Sequence, residues 1–65
     1  MTGLALRWCP ETRWYELAAS TQTRLFQREV IARTWDMGMA CVLTSEALVS
    51  LASREPGTWW TEADL

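Results

Sequence analysis

The sequence predicts an α+β domain, in which a small antiparallel sheet of three to four strands packs against one C-terminal helix. Two observations favour the sheet: residues 4–8 and residues 40–43 are short apolar segments, and breaks at Pro10 and Gly38 keep the apolar segments short. The helix is predicted by apolar residues at helical spacing ahead of Pro56. The alternative is a three-helix bundle over residues 10–20, 24–36 and 45–55.

The N-terminal third contains two candidate elements. Residues 4–8 (LALRW) are a short, mainly apolar segment that is predicted to be extended, and the proline at position 10 breaks it. Residues 13–19 (RWYELAA) suit a strand, but Trp14, Leu17 and Ala18 also suit a helix. Residues 20–23 (STQT) are polar and typical of a turn.

The middle segment, residues 24–35, is also ambiguous. A strand would place Leu25, Ile31 and Trp35 on one face, and neither face would be purely apolar. A helix would scatter the same residues around its axis without one apolar stripe. A break at residues 36–38 follows, and residues 40–43 (ACVL) are predicted to form a buried strand.

The clearest element is the C-terminal helix. Thr44 or Ser45 can cap its start, and Pro56 with Gly57 ends it. Its apolar stripe is predicted to be Ala47, Leu48, Leu51 and Ala52. The organisation is therefore one domain over residues 1–57 and a C-terminal tail over residues 58–65.

Composition restricts the possible functions. Of the 65 residues, 49% are hydrophobic, five are tryptophan, none is histidine and none is lysine, and the net charge is −2. Because histidine is absent and no glycine-rich phosphate loop occurs, we expect no enzyme activity, no cofactor, no metal and no small-molecule substrate. No apolar run is long enough to span a bilayer, so we expect no membrane association and a cytoplasmic location, where Cys9 and Cys41 would be reduced thiols.

Residues 13–17 (RWYEL), the Leu25-Phe26 pair, and an arginine two residues before Trp35 resemble the WGR domain family, which is named for a Trp-Gly-Arg motif. The resemblance covers residues 4–54. It implies a sheet, a further strand after the motif, a C-terminal helix, and contact with nucleic acid through the motif tryptophan and arginine. The positions of the motif glycine and arginine are Asp36 and Met37 here, and a family strand tryptophan is replaced by Glu29.

The candidate contact residues are arginines and tryptophans. Arg24, Arg28, Arg33 and Trp35 are predicted to grip phosphate or stack on a base, and Trp59 and Trp60 are predicted to anchor a protein contact. Three functions fit: a WGR-like module that binds nucleic acid or a nucleoprotein complex; an acidic inhibitor or adaptor of phage or plasmid origin that binds a host nucleic-acid-handling complex; and a structural homodimer subunit. In the alternative without a contact function, Trp35, Trp59 and Trp60 are core residues and the arginines are solvated.

Overall fold

The structure is a computed structural model and describes residues 3–21 and 28–65. In these residues the elements are β1 (Leu4–Cys9), β2 (Trp14–Ala19), β3 (Ala32–Thr34), α1 (Met37–Leu43) and α2 (Glu46–Arg54), followed by a short 3-10 turn at Glu62–Asp64. The strands form one antiparallel sheet in the order β1-β2-β3. The predicted α+β class with a small antiparallel sheet is confirmed, and the alternative three-helix bundle is wrong.

A tight hairpin joins β1 and β2. The break predicted around Pro10 is its turn, which the backbone N–H of Arg13 closes by donating to the Cys9 carbonyl at 2.8 Å. Arg13 has a φ of 60°, a left-handed conformation that costs a non-glycine residue roughly 1 kcal/mol. Residues 13–19, undecided from periodicity, are extended from residue 14 because the hairpin supplies a partner strand for their backbone groups.

The two faces of the sheet have different environments. The pairs Leu6–Leu17 and Trp8–Tyr15 lie on the face that packs against both helices, and the Trp8 and Tyr15 rings are 4.5 Å apart between centroids. Burying each large apolar side chain there stabilises the fold by roughly 1.5–3 kcal/mol. The buried core cluster consists of Leu6, Tyr15, Leu17, Ala40, Leu48, Val49 and Ala52.

The predicted strand at residues 40–43 is wrong, because these residues belong to helix α1. Asp36 caps that helix: its carboxylate accepts a hydrogen bond from the Gly38 backbone N–H at 2.9 Å. The predicted break at residues 36–38 is therefore the helix N-terminus. The strand that the WGR resemblance implies after the motif is a helix here, and the described residues form two α-helices instead of the one predicted.

The C-terminal helix is confirmed and its cap is resolved. The Ser45 hydroxyl accepts from the Leu48 N–H at 3.2 Å, while Thr44 ends α1. The buried stripe of α2 is Leu48, Val49 and Ala52. Ala47, predicted in that stripe, is exposed because the helix is rotated so that Val49 faces the sheet.

Residues 57–60 run along the free edge of β1. The Gly57 N–H donates to the Trp8 carbonyl at 2.9 Å, and Trp60 and Leu6 exchange two backbone hydrogen bonds of 2.8 and 2.9 Å. The segment predicted as a separate tail therefore contacts the sheet. Trp60 is partly buried against the core, and its indole N–H donates to the Glu55 carbonyl at 3.1 Å.

The middle segment is extended near its C-terminal end. Arg24 and the Leu25-Phe26 pair lie outside the described residues, and residues 28–31 have no regular secondary structure. The Ile31 N–H donates to the Leu17 carbonyl at 2.8 Å, and β3 then ends directly before Trp35. Within the residues that the structure describes, no helix has both the length and the apolar character that crossing a membrane requires.

Candidate binding surface

Ala5 and Ala18 are fully buried on the sheet face turned away from the helices, whereas the hairpin end of this face carries polar and aromatic side chains. These alternate along the strands with the core residues, as the two-residue period of a strand requires. The register places Arg7 and Arg33 on either side of Glu16, on the neighbouring strands β1 and β3. We call this surface the outer face and define it by Arg7, Cys9, Trp14, Glu16 and Arg33.

Glu16 is the centre of the outer face. Although charged, its side chain is only 9% exposed. One carboxylate oxygen, Oε1, accepts from Nε and Nη2 of Arg7 and from the Cys9 thiol, and the other, Oε2, accepts from the Trp14 indole N–H at 3.1 Å and from Nε of Arg33 at 3.3 Å. Five donors therefore hold one carboxylate, which satisfies the requirement that a buried charge be paired and hydrogen-bonded.

These contacts shift two pKa values in opposite directions. Burial alone would raise the pKa of Glu16, but hydrogen bonds from Arg7, Cys9 and Trp14 and the Arg7 charge outweigh it and lower the pKa to about 2. Burial, followed by the hydrogen bond to Glu16 and its charge, raises the pKa of the Cys9 thiol. At neutral pH Glu16 is therefore ionised and Cys9 is a protonated donor, which makes it a poor nucleophile.

Arginines and tryptophans alternate across the outer face and its margins. The Arg7 guanidinium lies 4.4 Å from the Trp59 ring centroid, and the Arg33 guanidinium lies 5.3 Å from that of Trp14. Trp14 in turn makes a T-shaped contact with Trp35, with 5.9 Å between ring centroids. Both arginines are thus held between a carboxylate and an aromatic ring, a geometry that suits the planar guanidinium.

The structure separates the contact residues that the sequence predicts. Arg33 and Trp35 come together, each against the Trp14 ring. Trp35 is not a core residue, since it is 71% exposed. Arg28 makes a different contact, since its Nη1 donates to the Ala19 carbonyl at 2.7 Å. Arg24 lies outside the described residues.

The adjacent tryptophans of the C-terminal segment diverge. Trp60 pairs with Leu6 and packs on the core side, whereas the ring of Trp59 meets Arg7 on the outer face. Successive residues of an extended segment point to opposite faces, which explains the divergence. The protein-contact role predicted for both residues stays a prediction, and the structure gives them different environments.

Sequence reasoning missed four residues that build this surface: Arg7, Cys9, Trp14 and Glu16. A signal was available. With residues 10–13 taken as a four-residue hairpin turn, the strand register places Arg7 directly opposite Glu16, and opposite charges in that position stabilise a sheet. The ambiguity of residues 13–19 hid this pairing.

A surface cavity of about 480 Å³ lies at the hairpin end of the outer face. Arg7, Trp14 and Glu16 line one part of it, and Pro56 and Gly57 line another. Both cysteines are described and are free thiols; Cys41 lies in α1, partly buried against the core. Across residues 3–21 and 28–65, no three potential metal ligands of the His, Cys, Asp or Glu type cluster together.

Comparison of the chain with protein-family models, with curated proteins and with solved structures gives no match.

Proposed function

We propose that this protein is a small, non-enzymatic binding module that contacts single-stranded nucleic acid through the outer face and Trp35. The observation that carries the proposal is the series Arg33, Trp14 and Trp35, in which a cation lies over one ring and a second, largely exposed ring adjoins it. Such series bind single strands because every base can stack on an aromatic ring while a nearby cation contacts the backbone.

Arg33 is the residue best placed to contact phosphate. Glu16 contacts only the Nε atom of Arg33, and this contact orients the guanidinium. Among the described residues, no hydrogen bond engages the two terminal nitrogens of Arg33. Its side chain is 53% exposed. An oriented guanidinium whose two terminal nitrogens are used by no described residue matches the geometry of a phosphate.

The small net charge of the outer face limits the share of the binding energy that phosphate contacts can supply. Arg7 and Arg33 carry two positive charges and Glu16 carries one negative charge, so these three residues give the outer face a charge of +1. A face that neutralises one to two phosphates loses about 3- to 7-fold in affinity when salt rises fourfold, given a slope of about −0.7 per phosphate for single strands. Stacking on Trp35, worth roughly 1–3 kcal/mol per base, supplies the larger part.

The WGR resemblance supports the same assignment, because Trp35 stands at the position of the motif tryptophan that the family uses for nucleic acid. The motif arginine is Met37 here. We propose that Arg33, two residues earlier and already held by Glu16, supplies the cation in its place.

The test is fluorescence anisotropy of a labelled oligothymidylate titrated with the protein at two salt concentrations. Replacing Trp35 by alanine is expected to weaken binding by roughly 5- to 150-fold. Arg33→Ala is expected to weaken it and to reduce the salt dependence by about one phosphate. Arg54→Ala, which removes an exposed cation from the last turn of α2, is the matched control and is expected to change little.

Two results would reject the proposal. The first is affinity that falls equally in the Arg33 and Arg54 variants, because binding would then reflect overall charge. The second is no binding by the wild-type protein at millimolar concentration. Circular dichroism of each variant checks that the sheet is intact.

A further inference from the structure

Helix α1 has a composition unusual for a surface helix. Its seven residues (MGMACVL) include no charged side chain and no polar one apart from the thiol of Cys41, yet Ala40 is its only buried residue. A helix that is apolar all round is normally buried on all sides. The fold of one described chain therefore leaves α1 partly uncovered.

The uncovered part forms one side of the helix. Met39, Val42 and Leu43 stand at positions i, i+3 and i+4, which places them next to one another. All three are exposed, and Val42 is 79% exposed. We call these three residues the α1 apolar side.

The size of this surface fits a second copy of the chain. Together with Met37 in the first turn of α1, the α1 apolar side exposes an apolar area on the order of 300 Å². This is the size at which a patch begins to mark an interaction site. Two copies meeting at this side would bury about 600 Å² of apolar surface. Because homodimer interfaces are about 65% apolar, the whole interface would be about 900 Å², which is below the roughly 1,200 Å² of stable interfaces and in the range of weak associations.

We propose that a second copy of this chain covers the α1 apolar side, so that the protein forms a weak twofold dimer through α1. A twofold interface is self-complementary, and two copies of the α1 apolar side meet that requirement because none of its three residues carries a charge. Association also supplies buried apolar surface that a 65-residue domain lacks. This inference is independent of the proposed nucleic-acid contact, which uses the other side of the sheet.

The test is sedimentation equilibrium of the wild-type protein from micromolar to millimolar concentration. The expected mass rises from 7.5 kDa toward twice that value. Val42→Asp is expected to weaken association at least about 100-fold, because it places an unpaired charge in an apolar contact. Ser50→Asp adds the same charge on the exposed side of α2 and is expected to leave association unchanged.

A second measurement locates the contact. Val42→Cys is expected to form a disulfide-linked dimer under mild oxidation, because equivalent residues of the two copies meet near the axis, whereas Ser50→Cys is not. A constant mass of 7.5 kDa up to millimolar concentration would overturn the proposal. Association that survives Val42→Asp would also overturn it, since the contact would then lie elsewhere.

Discussion

Replacing Glu16 by glutamine removes the one negative charge shared by Arg7 and Arg33 and keeps nearly the same shape. The amide retains one acceptor oxygen but turns the other into a donor, which then faces donors that are already present. Arg7 is the more affected cation, because its side chain is 30% exposed and uses two nitrogens on the carboxylate. The variant therefore leaves a half-buried guanidinium without its counter-charge.

The pKa of Glu16 gives the magnitude of the expected loss in folding stability. Each tenfold change in an equilibrium constant corresponds to about 1.4 kcal/mol, so lowering the pKa from 4.5 to about 2 links about 3 kcal/mol of folding free energy to ionisation of this group. Because the folded-state pKa is lowered, this stability is fully present above pH 4.5 and is lost as pH falls toward 2. We expect Glu16→Gln to cost about 2–3 kcal/mol at pH 7, or about 10–20 °C in melting temperature for a domain of this size.

The assay is urea and thermal unfolding, followed by circular dichroism, at several pH values between 2 and 7. Glu11→Gln in the hairpin turn is the control, since Glu11 is exposed, and it should change stability by less than about 0.5 kcal/mol. The wild type and Glu16→Gln should converge in stability as pH approaches 2. Equal stability of the two proteins at pH 7, or parallel curves over the whole range, would refute the account of Glu16.

Two further substitutions test the frame around the outer face. Trp60→Ala removes a ring packed on the core and is expected to lower the free energy of unfolding in urea by about 3 kcal/mol. A loss below about 1 kcal/mol would show that residues 57–60 contribute little to the sheet edge. Arg13→Gly relieves a left-handed non-glycine residue and is expected to stabilise the hairpin by about 0.5 kcal/mol in the same assay; destabilisation would contradict the positive φ.

The elements that local patterns specify could be predicted from the sequence. The start of α2 at a Thr44 or Ser45 cap and its end before Pro56 follow from residue types whose backbone preferences are strong, and the structure identifies Ser45 as the cap. Helix α1 could not be predicted in the same way. Its residues alone resemble a short buried strand, and in the sequence the Asp36 cap that decides for a helix is equally typical of a break.

The outer face depends on contacts between residues distant in the chain, which explains why it was predicted only in part. Arg33 and Trp35 were identified from their residue types and from the family resemblance. Glu16 is joined to Arg7 and Arg33 by strand register alone, and register depends on the hairpin turn that periodicity left ambiguous. Trp59 reaches the same face because its segment pairs with β1, a long-range contact that no local pattern contains.

The most direct test of the outer face as the binding surface is the set of five tryptophan indole N–H signals in a ¹⁵N-labelled sample titrated with oligothymidylate. Those of Trp14 and Trp35 are expected to shift with added oligonucleotide, because both rings adjoin Arg33. Those of Trp8 and Trp60, on the core side of the sheet, are expected to stay in place. Shifts confined to Trp8 and Trp60, or no shift in any indole signal at saturating oligonucleotide, would contradict the assignment.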